Sequence, residues 1–239
     1  MSYGRIGVIG AMDSELAALI AALAQPARET VQGLAFHTGR LGVREVVLVR
    51  CGIGKVSAAR CTQVLIDRFA PAAVINTGIA GGLGAGLAVG DIVVADGLVQ
   101  HDFDAAPIGF VRGCLCMGDP GAPTVFTPDE PLSALLARTA GDAAGAQRVH
   151  RGLIATGDQF ISGAAEKAAI RSAFPSAMAA EMEGGAVAQA ASMSGVPFAV
   201  VRAISDLADG TAASSFEQFE QHAADISAAA VLQALALLD

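Results

Sequence analysis

The chain has 239 residues, of which 53% are hydrophobic, only 16% charged and 5% aromatic, and it includes 28 glycines. That composition excludes intrinsic disorder, which goes with few apolar residues and high charge. A net charge of −8 argues against a nucleic-acid partner, because neutralising phosphates takes clustered Lys and Arg, and it leaves a small molecule as the expected ligand.

In chain order, residues 5–10 (RIGVIG) form a β-branched run that ends in glycine and leads through a turn into an apolar-periodic stretch to about Ala24. This predicts strand, turn and helix. Strands are expected at 34–38 and 45–49, the second leading through Gly52-Ile53-Gly54 into a helix to about Phe69. A buried strand at 73–76 runs into a glycine-rich loop at 78–86, and residues 91–95 and 98–101 read as two further strands. Residues 102–127, rich in Gly, Pro and Asp, read as a long loop, a candidate lid or interface. Beyond it, helices at 130–140, 164–174 and 186–194 alternate with strands at 153–156, 178–181 and 198–204. A last helix spans about 216–238, with Ser214 and Glu217 at capping-box spacing and an apolar stripe from Phe216 to Ala230. The alternation predicts one α/β domain over 1–239 with a mainly parallel central sheet.

A mean hydropathy of +0.53 raises the question of membranes. Two stretches, 69–90 and 184–201, carry no charge at all. The first contains Pro71, Asn76, Thr77 and six glycines, and the second is broken by Gly195 and Pro197, so neither reads as a spanning helix. The apolar run near the N-terminus is too short for a signal peptide, and a cytoplasmic protein is expected. Cys51, Cys61, Cys114 and Cys116 form no CxxC pair, and no metal site is expected.

Two glycine motifs fail their tests. Gly7-Val8-Ile9-Gly10 lacks the G-x-G-x-x-G spacing of a dinucleotide site, and Gly52-Ile53-Gly54-Lys55-Val56 lacks both the first glycine and the Ser or Thr of a phosphate loop. The second reads equally well as a tight strand-to-helix turn. Charged residues set in apolar surroundings say more, since a charge is costly to bury unless it is paired or used. Glu15, Glu183, Arg202 and Asp206 stand out. Each alone has a plain structural reading: a helix-dipole partner for Glu15, a pair or a cap for Arg202 and Asp206. Together with the Gly78 loop and Phe160, however, Glu15, Glu183 and Asp206 all follow strands, and ligand crevices in parallel α/β sheets open at strand carboxyl ends.

At these residues the chain resembles the 5′-methylthioadenosine/S-adenosylhomocysteine nucleosidases of the purine nucleoside phosphorylase superfamily. The matching motifs run nearly the full length: Ile9-Gly10-Ala11-Met12 with Glu15, the Gly52 to Val56 turn, Asn76-Thr77-Gly78, Val89-Gly90-Asp91-Ile92-Val93, Gly157-Asp158 with Phe160-Ile161, Glu181-Met182-Glu183, and Val201-Arg202-Ala203-Ile204-Ser205-Asp206. The resemblance implies a single-domain, three-layer αβα nucleoside phosphorylase-like fold with a mixed, mainly parallel sheet. It also implies hydrolysis of the bond between adenine and a 5′-thio-substituted ribose, without metal or organic cofactor, by a homodimer. In that reading Glu15 is the base that activates water and Arg202 helps hold the water. Glu183 binds the ribose hydroxyls with Met182 packed on the sugar, and Asp206, with Ser205 beside it, protonates adenine N7. Phe160 stacks on the base, the Ile161 backbone completes its recognition, and Met12, Ile53 and Phe216 line the 5′-thio end. Two departures bear on the 5′-substituent: Ile79 stands where family members often have Ser, and residues 104–125 match poorly. The nearest alternatives are a futalosine or aminodeoxyfutalosine hydrolase, a phosphate-dependent phosphorylase, and a non-catalytic nucleoside-binding protein.

Overall fold

The computed structural model of the chain describes residues 3–145 and 148–238. In order they form β1 (Ile6–Gly10), α1 (Asp13–Ala21), β2 (Ala24–Val31), β3 (Leu34–Leu41), β4 (Arg44–Arg50), α2 (Lys55–Phe69), β5 (Ala73–Gly82) and β6 (Ile92–Gln100). Then follow α3 (Glu130–Ala144), β7 (Val149–Thr156), α4 (Ala164–Ala173), β8 (Ala177–Glu181), α5 (Gly184–Met193), β9 (Phe198–Asp206) and α6 (Ala212–Leu237).

The period-2 alternation of strand side chains builds the layers. Ile6, Val8, Val46, Leu48 and Ile75 point to one face, where α1, α3 and α6 cover them with Leu16, Leu19, Leu132, Leu136 and Val231. Ile9, Val47, Val49 and Val74 point to the other, under Ala58, Cys61 and Leu65 of α2 and Val187 of α5. Gly7 lets α2 approach closely, since a Cβ there would overlap the Leu65 side chain. Leu65 is fully buried, and burying such a side chain contributes roughly 1.5–3 kcal/mol.

Strand order is β2-β3-β4-β1-β5-β8-β7-β6-β9, and β9 also pairs with β5. The sheet therefore closes on itself through β5, β8, β7, β6 and β9. Among the described residues five pairings are parallel and four antiparallel, so the sheet is mixed. The split occurs along β5: residues 73–76 pair with β1, whereas Gly81 and Gly82 pair with β8.

Other differences from the sequence reading have local causes. The first helix stops at Ala21 rather than near Ala24, because the chain turns into β2, an exposed edge strand with Pro26 and no apolar alternation. It pairs with β3 through a Gln32-Gly33 hairpin in which both residues have positive φ (49° and 79°). The expected loop at 78–86 is strand as far as Gly82, glycine-rich because Asp206 and Ala208 press on Gly81. The strands at 91–95 and 98–101 are one strand with a register shift between Ala95 and Gly97. The last helix begins at Ala212, and Ser214 donates back to the Thr211 carbonyl instead of capping it. Among the described residues no helix is long and apolar enough to cross a membrane.

Candidate active site

The ends of β1, β5, β8 and β9, with the starts of α1, α2 and α6, surround an open cleft. Its floor and walls hold Met12, Glu15, Ile79, Met182, Glu183, Ser205 and Asp206, and its rim holds Ile53, Phe160, Ile161 and Phe216. Of the residues singled out in the sequence, Arg202 alone does not line it.

Glu15 occupies the gap opened where β5 leaves β1. It lies in the first turn of α1, so its carboxylate turns back onto the strand end. One oxygen accepts from the Ala11 and Met12 amides (2.6 and 2.9 Å), the other from the Ile79 amide across the gap (3.1 Å). Gly78 is required there, because a Cβ would fall on Glu15 Oε1. Burial raises the Glu15 pKa, against the opposing pull of Arg202 and the three amides.

Arg202, near the end of β9, is 1% exposed. Its Nη1 donates to the carbonyls of Asn76 and Val201, and its Nη2 to Asn76 Oδ1 and Glu181 Oε2, both at 2.5 Å. All four terminal N–H bonds are thus taken up by protein, and Nε is its one donor without a protein acceptor. The guanidinium fork is spent on a buried ion pair beside the cleft.

The partner in that pair is the residue the sequence reading gave no role. Glu181 ends β8 and also accepts from the Thr156 hydroxyl and from the Glu183 and Gly184 amides (3.0 and 2.7 Å). Burial acts to raise its pKa, but Arg202 and these donors prevail and hold it below the ordinary range. A signal existed: a buried arginine in an apolar strand needs a carboxylate, and Glu181 ends an apolar strand.

Glu183, two residues on, has the opposite character. Burial first, then the neighbouring Glu181 charge, pushes its pKa up to about 8, although Arg202 and the Gly54 amide (2.9 Å from Oε1) resist. Asp206 closes β9. Its Oδ1 accepts from the Ala208 amide (2.8 Å) and its Oδ2 from the Ser205 hydroxyl (2.9 Å). Burial nevertheless raises its pKa, helped by Asp209 and opposed by Lys167. Across the rim Phe160 meets Phe216 edge to face, with centroids 5.6 Å apart. Phe160 is 47% exposed, which leaves a ring face free for a flat ligand.

The arrangement offers one buried carboxyl, Glu183, that holds its proton near neutrality, two more, Glu15 and Asp206, whose pKa values burial raises, one that stays ionised, Glu181, and an aromatic platform. The known proteins it resembles fit that inventory. Residues 5–236 match the family model described as the phosphorylase superfamily. A 5′-methylthioadenosine/S-adenosylhomocysteine nucleosidase of Actinobacillus succinogenes is 42% identical over 98% of this chain and 100% of its own length. The structure of such a nucleosidase from S. pneumoniae with the transition-state inhibitor MT-ImmA superposes with a TM-score of 0.91, at 41% identity over 98% of this chain and 100% of the other. A futalosine hydrolase mutant of Helicobacter pylori superposes at 0.87, with 32% identity over 97% and 98%. By sequence and by fold, the chain belongs to the 5′-methylthioadenosine/S-adenosylhomocysteine nucleosidases of the phosphorylase superfamily.

Proposed function

We propose that this protein is an N-glycosyl hydrolase that cleaves 5′-methylthioadenosine and S-adenosylhomocysteine, and with them 5′-deoxyadenosine, to adenine and the 5-substituted ribose. Water adds to C1′ and gives its proton to Glu15, while the C1′–N9 electron pair leaves with adenine, whose N7 takes a proton from Asp206. Glu183 accepts hydrogen bonds from the ribose hydroxyls, each charge-assisted bond contributing about 1.5–3 kcal/mol. Its carboxylate also stabilises the oxocarbenium-like sugar as the bond breaks. Phe160 stacks on the base, the Ile161 backbone and Ser205 complete its recognition, and Met182 packs on the sugar. Met12, Ile53, Ile79 and Phe216 give the 5′-substituent an apolar surrounding. Arg202 favours the ionised form of Glu15, and its Nε–H is the donor left for the attacking water.

One observation carries this reading. Glu15, Glu183 and Asp206 are anchored separately yet line one cleft, and no Lys, Arg or His is among its lining residues. A phosphate nucleophile would face Glu15 in the ionised form that a general base needs, with no cationic side chain lining the cleft to offset it: at 4 Å and an effective dielectric of 20, repulsion is about 4 kcal/mol for that pair of unit charges. Water is the better nucleophile for such a site.

The likeness to a futalosine hydrolase supports a second candidate substrate, because both activities need the same acid, base and ribose carboxylate. A panel separates them. Methylthioadenosine and S-adenosylhomocysteine should be turned over with kcat/KM at least about tenfold above aminodeoxyfutalosine, and the reverse order would reassign the substrate.

Glu183 should also link binding to protons. Its carboxyl is mainly protonated at pH 7 in the free protein, given a pKa of about 8, whereas the ribose hydroxyls favour the ionised form. Nucleoside binding below pH 8 should therefore release a proton from this group, and KM should fall as pH rises toward 8. Calorimetry with a non-hydrolysable nucleoside, in buffers of different ionisation enthalpy, should show release of close to one proton more for the wild type than for Glu183→Gln. Equal proton counts would contradict the assignment.

A homodimer fits the exposed apolar residues Ile53, Val56, Phe103, Ile108, Met117 and Met193. They lie on segments tied together by the Lys55–Asp102 and Gln100–Gln189 contacts. Light scattering should give twice the 23.9 kDa chain mass. A cytoplasmic setting agrees with a small-molecule salvage reaction that uses adenosine derivatives.

A further inference from the structure

The turn Gly52-Ile53-Gly54-Lys55-Val56 is no phosphate loop, and the mechanism uses only its Ile53. It binds carboxylates of the chain itself. The Gly54 amide donates to Glu183 Oε1 (2.9 Å) and the Lys55 amide to Asp158 Oδ1 (2.7 Å). Both amides lie at the start of α2, where unpaired N–H groups and the helix dipole favour anions. Gly54 has φ +95°, and a Cβ there would stand 3.0 Å from Asp158 Oδ1, so the turn needs glycine on two counts.

The lysine side chain then closes a ring. Lys55 Nζ donates to Asp102 Oδ1 (2.6 Å) and to Gln100 Oε1 (3.2 Å), while Asp102 Oδ2 accepts from the Asp158 amide (2.9 Å). The two charged side chains are only 19% and 18% exposed. Asp158 opens the segment Gln159-Phe160-Ile161 at the rim, and Gly54 grips Glu183. Behind the ring His101 is fully buried against Gly157.

Resting on the nucleosidase reading, we infer that Lys55 and Asp102 are positioning residues for the reaction: their ion pair locks the start of α2 to the Asp158 turn, and so holds Glu183 and Phe160 at a fixed separation. Neither side chain lines the cleft. Each acts through a backbone amide on a segment that does: Asp102 through the Asp158 amide on the Phe160 segment, and Lys55 through the turn that presents the Gly54 amide to Glu183. Of the charged groups facing Glu183, Glu181, Arg202 and Glu15 come from other elements and are untouched by a change at Lys55.

Lys55→Met removes Nζ and keeps both amides. It should lower kcat/KM for methylthioadenosine about tenfold, but by less than about threefold for the 3′-deoxy analogue, which lacks one hydroxyl that Glu183 would accept. Lys55→Arg keeps a cation and should recover most of the loss. Equal losses on both substrates, or no loss on either, would overturn the assignment. A measurement independent of turnover is the carbon NMR titration of the Glu183 carboxyl in the ligand-free protein. In Lys55→Met its midpoint should move up by about half a unit or more, as the Gly54 amide is released. An unmoved midpoint would also overturn it. Wild-type protein that released no adenine would instead remove the nucleosidase reading, and the titration would still decide the role of Lys55.

Discussion

Replacing Asp206 with Asn should cut adenine release from methylthioadenosine by roughly 10²–10⁴-fold, the range expected for losing a positioned general acid. The substitution is close to isosteric. An Asn oxygen still accepts the Ala208 amide, which holds Oδ1 at 2.8 Å, and Ser205 still has a hydrogen-bonding partner at the second position. Folding and nucleoside binding should therefore survive, and KM should change only a few-fold. What is lost is the transferable proton. Adenine leaves poorly as an anion, so the barrier rises at the step where the C1′–N9 bond breaks. The pH profile supplies a second check. Asp206 acts in its protonated form, and burial raises its pKa, so the rate falls as pH climbs through that pKa. That limb should vanish from the residual activity of the Asn variant. A 5′-methylthioriboside with an aryl leaving group that needs no protonation should lose far less than methylthioadenosine. Equal losses on both would take Asp206 out of the acid role.

Glu181→Ala should be the most destabilising change near the cleft. Arg202 is fully buried, and Glu181 is its one ionised hydrogen-bond partner, at 2.5 Å. Removing one member of a buried pair leaves an uncompensated charge, at a cost of about 3–5 kcal/mol. The Thr156 hydroxyl and the Glu183 and Gly184 amides would lose their acceptor as well. For a chain of this length that corresponds to a fall in Tm on the order of 10 °C. Replacing both partners with apolar residues of similar volume should restore much of the loss, since the desolvation of both ions is then avoided. Thermal denaturation followed by circular dichroism checks both. A fall of less than about 2 °C for Glu181→Ala would mean that water reaches Arg202 and that the pair is not a structural strut.

The candidate site was largely legible because charge is scarce in this chain. Glu15, Glu183 and Asp206 each stand at the edge of an apolar run, and one cleft collects them. The stretch 184–201 is uncharged because it is a buried helix, a turn and a buried strand, not because it meets lipid. The role of Glu181 was harder to see. In sequence it is one of two carboxylates flanking Met182, and only the fold shows that one faces Arg202 while the other faces the cleft. The same holds for Arg202, whose hydrogen bonds depend on Asn76, more than a hundred residues away. Most strands were readable from β-branched runs. The edge strand β2 was not, because AQPARETV is exposed along most of its length and has no apolar face to show. The closure of the sheet through β5 and β9 left no local mark either, since pairing partners are not written in either strand's own pattern.

Phosphate dependence tests the central claim most directly. Purified protein should release adenine from methylthioadenosine in phosphate-free buffer, with one reducing sugar formed per adenine. Millimolar phosphate should leave the rate unchanged within about twofold, because the cleft presents carboxylates where a phosphate would need cations. Release that depends on phosphate and yields a sugar 1-phosphate would contradict the account.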